Sequence, residues 1–173
     1  MSILAEIEAC VPALRRYAWS MLRHSQDADD LVQDCLVRAL AHLPPPSAEM
    51  AVRPWLFTIL HNISVSRWRR LRRRGRDVEP PPDAPELRVA PAQDWSLSLR
   101  DLLQGLERLP EEQRRVLLLV GVEGFEYREA AAILGLPLGT VMSRLSRARD
   151  ALHGHMEGQV MEGRARPALR RVK

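Results

Sequence analysis

Long apolar runs are missing from this 173-residue chain, and cysteine, the aromatics and lysine are nearly so. No uninterrupted apolar stretch approaches the roughly 20 residues that cross a bilayer, so no membrane insertion is expected. The opening MSILAEIEACVPALRR has acids at Glu6 and Glu8 and no basic residue ahead of an apolar core. That is not the layout of a secretory signal, and a cytoplasmic protein is expected. The two cysteines, Cys10 and Cys35, lack CxxC spacing and fall on apolar helical faces, as buried reduced thiols do; neither a metal nor a redox role is expected. Five histidines form no ligand spacing, and no glycine-rich phosphate loop or nucleophile with an adjacent base is visible. The expectation is a protein without cofactor or catalysis. No strand pattern is present either, which leaves an all-α fold, and 46% hydrophobic residues suffice for real cores.

What is abundant is arginine, and it is unevenly placed. Residues 1–76 carry a net charge of +5, residues 77–94 of −4, residues 95–153 of zero and residues 154–173 of +3, with Lys173 the single lysine. Arginine's planar fork suits phosphate recognition better than a lysine point charge. The stretch 77–94, DVEPPPDAPELRVAPAQD, holds five acids and five prolines without periodicity, as an extended linker does. Two small helical domains are therefore expected, at 1–76 and 95–153, joined by this acidic Pro-rich linker and followed by a basic, disordered tail at 154–173.

In the first domain Ile3, Ile7, Val11, Leu14, Ala18 and Met21 predict a helix from about Ser2 to His24. A second helix is predicted after SQDADD, with Asp27 as N-cap and Leu31 or Val32, Cys35, Leu36, Ala39 and Leu43 inward. Asp30, Gln33, Asp34 and Arg38 are left outside. Three prolines from Pro44 force a loop. From about Val52 the helical period returns, with Trp55, Leu56, Ile59, Leu60 and Ile63 inward and Thr58, His61, Asn62, Ser66 and Arg69 outward. Seven arginines between Arg67 and Arg76 close this helix. Alone, such a run is usually only solvated; on a helix that also presents polar side chains and a tryptophan, it is an electrostatic footprint for nucleic acid.

The second domain opens with Trp95, Leu99, Leu102, Leu103, Leu106 and Leu109 on one helix. Pro110, Glu111 and Glu112 start the next, which carries Val116, Leu117 and Val120 and ends near Gly124. The stretch Glu126 to Leu152 then reads as a helix-turn-helix. Tyr127, Ala130, Ala131 and Leu134 predict one buried face, Gly135 a left-handed stop, and Val141, Leu145, Ala148 and Leu152 a single apolar stripe on the second helix. Ser143, Ser146, Arg147 and Asp150 point away from that stripe, with Arg144 and Arg149 on its flanks. An amphipathic helix bearing arginines is as often merely solvated as it is a reader of DNA. Here the outward side chains are small or basic until Asp150, which suits close approach to a polyanion.

DADDLVQDCLVRAL, RPWLFTILHN with its arginine run, LERLPEEQRRVLLL and EGFEYREAAAILGLPLGTVMSRLSRAR stand in the order and spacing of the extracytoplasmic-function (group IV) sigma factors of bacterial RNA polymerase, which the chain resembles from about Leu14 to Leu152. The wording around LLVGVEGFEYREAAAILG looks closest to the general-stress branch. The resemblance implies an alternative sigma factor that binds core RNA polymerase and directs promoter-specific transcription initiation. It implies core binding by Asp30, Gln33, Asp34 and Arg38. The loop Pro44–Arg53 would capture an unstacked base, and Arg53, Asn62, Arg67, Arg69 and Arg70 would hold the minus-ten strand. Thr140, Ser143, Arg144, Ser146, Arg147 and Arg149 would meet the minus-thirty-five duplex, Arg144 as a phosphate contact. An anti-sigma protein is an implied partner, and the free chain is expected to be a monomer. Two departures stand out: Met142 replaces a residue that is basic in many members, and Ser66 one that is aspartate in many.

Two other readings remain open at this point. A stand-alone helix-turn-helix regulator would bind a palindromic duplex as a dimer, but no extra dimerisation helix is evident. A sigma mimic that only sequesters an anti-sigma protein would not need Ser143 and Arg147. The arginine run yields a prediction of its own: replacing several of the arginines between Arg69 and Arg74 by glutamine flattens the dependence of log K for promoter DNA on log salt by about one unit per lost phosphate contact, read from a salt titration of binding.

Overall fold

The computed structural model describes residues 2–22, 24–44, 51–73 and 93–164; side chains at 68, 70–73, 93–100 and 158–164 are outside the described set. Among the described residues the chain is all-helical: α1 (Ile3–Leu22), α2 (Ser25–Ala41), α3 (Val52–Arg73), α4 (Gln93–Arg108), α5 (Glu111–Leu117), α6 (Tyr127–Leu134) and α7 (Leu138–Arg164). The N-terminal half is a three-helix bundle in which α1, α2 and α3 all touch one another. Its interior is Ile7, Leu14, Tyr17 and Ala18 from α1, Leu31, Val32, Cys35 and Ala39 from α2, and Leu56, Phe57, Leu60 and Ile63 from α3. Each set recurs at helical spacing, so burying it needs only three helices laid side by side. The Cys35 thiol sits 3.4 Å from the Leu56 carbonyl oxygen, and burial pushes its pKa up to about 12; burial raises Cys10 too. Neither thiol is a reactive thiolate.

Several local expectations need correcting. His24, not Asp27, caps α2: its extended backbone precedes the helix and its Nδ1 accepts from the Asp27 N–H at 3.4 Å. Imidazole replaces the expected carboxylate because the helix begins one turn earlier. Leu43 is exposed, since α2 stops at Ala41. On α3, Asn62, Ser66 and Arg69 are exposed as expected, but Thr58 and His61 are half-buried. The expected linker falls largely on residues outside the described set; its last two, Gln93 and Asp94, already belong to α4. The final helix is not short. It runs through Gly154 to Arg164, because α4 grips it beyond Leu152: a Cβ on Gly105 would lie 2.5 Å from Leu152 and 2.9 Å from His155, and Arg108 meets His155 Nδ1 at 3.1 Å. The rest of the tail, 165–173, is outside the described residues.

In the C-terminal half α7 packs on α4, α5 and α6. Val141, Leu145 and Ala148 are buried, so the predicted stripe is the one used. On α6 the buried residues are Ala130, Ala131 and Ile133, while Tyr127 is exposed. This two-turn helix lies between α7 and α3, and burial therefore spreads over two sides. Gly135 ends it at φ 62°, with the Leu136 N–H reaching the Ala131 carbonyl at 3.0 Å, a Schellman closure.

α5 does not simply end. It continues as one wide turn, Leu118–Val122, closed by the Glu123 N–H on the Leu118 carbonyl at 2.9 Å, five residues back. That turn changes the direction in which the following residues point. Glu123 and Phe125 leave it towards the N-terminal bundle, and the core becomes continuous across the two halves.

His61 lies on that boundary. Burial, helped by the Arg115 charge, lowers its pKa to about 4, against about 6.5 for an unperturbed imidazole. Between those values the unfolded chain holds a proton that the folded chain does not, so stability falls as pH drops through this window. His61→Gln is expected to remove about 1 kcal/mol of the stability that the wild type loses between pH 7 and pH 5, allowing for partial solvent access, as read from denaturant midpoints at the two pH values.

Candidate nucleic-acid interface

The outer face of α7 presents Ser143, Ser146, Arg147, Arg149 and Asp150 to solvent, with Thr140 half-buried behind them. The first turn is pinned by the Thr140 N–H on the Pro137 carbonyl at 2.9 Å, and Ser143 Oγ donates to the Thr140 carbonyl at 3.1 Å. Arg144 differs. Its guanidinium pairs with Glu112 at 2.5 Å, and its side chain is only 22% exposed. It braces α7 against α5, so a phosphate contact would require it to leave that partner. Met142, more than half exposed, joins Tyr127, Leu145, Ser146, Arg149 and Asp150 around a shallow hollow of about 260 Å³ beside the exposed serines.

The expected minus-ten residues do not form one free surface. Asn62 and Arg69 are exposed on α3. Arg67 pairs with Asp34 of α2 at 2.5 Å, joining a predicted DNA contact to a predicted core-binding one. The Arg70 side chain and loop residues 45–50 lie outside the described set. Asp30, Gln33, Asp34 and Arg38 are all exposed along α2. Beside them stand Val37, 61% exposed, and Leu40, 51% exposed, which sequence reasoning passed over. They lie one and two turns beyond Gln33, so the face is amphipathic rather than merely charged. Among the described residues no cluster of His, Cys, Asp or Glu could hold a metal ion, and no helix is long and apolar enough to cross a membrane.

Arg53 is the largest departure. Its Nη2 donates to the Glu123 backbone carbonyl at 2.5 Å and to Glu123 Oε2 at 3.2 Å, and its guanidinium lies 4.4 Å from the Phe125 ring centre. Arg16 of α1 completes the contact with a two-pronged pair, Nε to Oε1 at 2.9 Å and Nη2 to Oε2 at 2.8 Å. The Glu123 side chain is 1% exposed. Phe125 meets Phe57 edge-on at 4.8 Å between ring centres, and Phe57 in turn meets Tyr17 at 5.4 Å. A buried carboxylate costs several kcal/mol unless paired, and here both cations come from the other half of the molecule. The hydrogen bond that Arg16 donates to Glu123 raises the Arg16 pKa, and burial raises that of Tyr17. Nothing in the sequence flagged Glu123 or Arg16: each reads as one more surface charge.

Two family models match the chain: Sigma-70 region 2 over residues 7–74 and Sigma-70, region 4 over residues 99–152. The ECF RNA polymerase sigma factor EcfG of Rhodopseudomonas palustris is 41% identical over 151 residues, covering 87% of this chain and 83% of the relative. SigC of Mycobacterium tuberculosis, also an ECF RNA polymerase sigma factor, is 32% identical over 163 residues, covering 91% and 86%. Among solved structures, the sigma factor RpoE in complex with the anti-sigma factor NepR from Bartonella quintana aligns with a TM-score of 0.73 at 37% identity, over 88% of this chain and 95% of that one. CnrH in complex with the cytosolic domain of CnrY aligns at 0.64 and 28% identity, over 90% and 88%.

Proposed function

The chain belongs to the extracytoplasmic-function sigma factors of bacterial RNA polymerase, and on that premise we propose how its residues divide the work of an alternative sigma factor that directs transcription initiation. The observation that carries the assignment is the exposed, small-and-basic face of α7 on a helix fixed by its opposite side. Such a helix can enter a major groove with its outward residues against base edges.

The N-terminal domain, 1–76, binds core polymerase and the minus-ten region. Asp30, Gln33, Asp34 and Arg38 of α2 form the polar part of the core-binding face, and exposed Val37 and Leu40 supply its apolar centre. The loop between α2 and α3 takes an unstacked base; Asn62, Arg69 and Arg70 follow the strand phosphates, and Arg67 and Arg53 join them once released from Asp34 and Glu123. Extruding a base costs a few kcal/mol, which a pocket and a basic groove offset. The domain at 95–153 reads the minus-thirty-five duplex with Thr140, Ser143, Ser146 and Arg147, while Arg149 holds a phosphate, Arg144 joins it only once released from Glu112, and residues 77–94 act as the connector. The factor does no covalent chemistry of its own and works beside the polymerase in the cytoplasm as a monomer. An anti-sigma protein is its inhibitor: RpoE and CnrH, both similar to this chain along most of its length, were each solved with such a partner or with a partner's cytosolic domain.

The purified chain is expected to form a holoenzyme with core polymerase and start transcription at discrete sites in a genomic fragment library; a chain that does neither refutes the assignment. Arg147→Ala is expected to weaken binding of the holoenzyme's promoter duplex by about 1 to 3 kcal/mol and to relax sequence preference. An equal loss on random duplex, measured by competition, would make Arg147 a phosphate contact instead.

A further inference from the structure

Exposed apolar side chains gather at one end of the helix-turn-helix. Among the described residues nine large apolar side chains are exposed, and three of them belong to this end: Tyr127 at the start of α6, and Leu138 and Met142 in the first turns of α7. Leu138 and Met142 are four residues apart and so share one side of α7, and Tyr127 lines the same hollow as Met142. We propose that Met142 is a specificity-determining residue of the minus-thirty-five reader, making apolar contact with the 5-methyl group of a thymine in the major groove. The proposal rests on the sigma-factor reading of α7 given above.

The place of Met142 on the helix allows this contact. It is the fifth residue of α7, and a helix that enters the major groove meets base edges with its N-terminal residues. At about 100° per residue it lies about 40° around the axis from Ser146 and about 20° from Arg149, which stands some two turns further along. Val141 and Leu145, on the inner side, are buried and fix the helix from behind. The neighbours on the outer side are short. Ser143 Oγ is turned back onto the Thr140 carbonyl at 3.1 Å, and Ser146 has no more length to offer, so the methionine, 51% exposed, is the longer probe of the three.

The chemistry of the side chain narrows the target. A thioether carries no charge and is only a weak hydrogen-bond acceptor, so it gains little against a phosphate oxygen and cannot satisfy the polar edge of a base. Among the groups that a base pair presents in the major groove, the thymine methyl is the apolar one. Contact takes both surfaces out of water, and the unbranched methionine chain adapts to where the methyl stands. Only one strand of an A·T pair carries that methyl, so the contact selects the pair in one orientation. A single exposed methionine would mean little, since scattered apolar side chains are ordinary on protein surfaces. Met142 is not scattered: Leu138 and Tyr127 adjoin it on one side, and the exposed Ser143, Ser146 and Arg147 on the other.

A thymine-to-uracil scan tests the contact, because it removes the methyl and leaves every hydrogen-bonding group of the base pair in place. The probe is a promoter duplex from a mapped start site, bound by holoenzyme, with each thymine of the minus-thirty-five region replaced in turn by uracil on either strand. For the wild type one position is expected to lose about four-fold in affinity, as burial of one methyl implies. Met142→Leu is expected to keep that loss. Met142→Ala, and Met142→Lys as a second variant at this exposed position, are expected to bind thymine and uracil duplexes alike while circular dichroism shows them folded. Three results overturn the contact: a wild type indifferent to uracil at every position, a loss that persists unchanged in folded Met142→Ala and Met142→Lys, and a minus-thirty-five element without an A·T pair. In each of these the holoenzyme still prefers its promoter duplex over random DNA, and the sigma-factor assignment stands. A holoenzyme that binds every duplex alike refutes that assignment, and the thymine contact with it.

Discussion

A carboxylate out of water must keep cationic company, and Glu123 finds its company only across the boundary between two helical bundles. The remainder of the arrangement follows from satisfying it. α5 widens by one turn to aim the side chain, Arg16 and Arg53 reach in from the half-exposed rim to meet it, and Phe125 is carried along to close an aromatic row with Phe57 and Tyr17. Apolar burial makes the two halves adhesive. The buried charge makes them adhere in one register, because any sliding would leave an ion unpaired in a dry place.

The same boundary separates what is ready for use from what is held back. The outer face of α7 is open, its Ser143, Ser146 and Arg147 exposed to solvent. The exposed face of α2 is open too, with Val37 and Leu40 giving it an apolar centre of the kind that protein partners cover. Arg53, by contrast, is occupied, and α3 is partly roofed by α6. A sigma factor that meets polymerase first and DNA second would be organised in this order.

The polar groups left at the boundary are part of its character. Tyr17 Oη and His61 Nδ1 are buried there without a hydrogen-bond partner, near the Arg115 and Glu111 ion pair.

The sequence by itself determined the helices, their inward faces and the reader. Periodicity alone picked out Leu14, Leu31 or Val32, Cys35, Leu60, Val141, Leu145 and Ala148 as interior, and Gly135 as the left-handed stop, because each is a local consequence of 3.6 residues per turn or of a missing Cβ. The outward residues of α7 followed by subtraction. Capping and helix ends were less legible: His24 took the place expected for Asp27, and α7 ran on past Gly154 because α4 happens to hold it there. What only the tertiary structure decided is which charges are free. Arg53, Arg67, Arg144 and Glu123 all read as surface charges along the chain, yet the first three are tied to partners 70, 33 and 32 residues away and the fourth is enclosed. Charge pairing depends on distance in space, and no periodic pattern along one helix records what another helix will bring beside it.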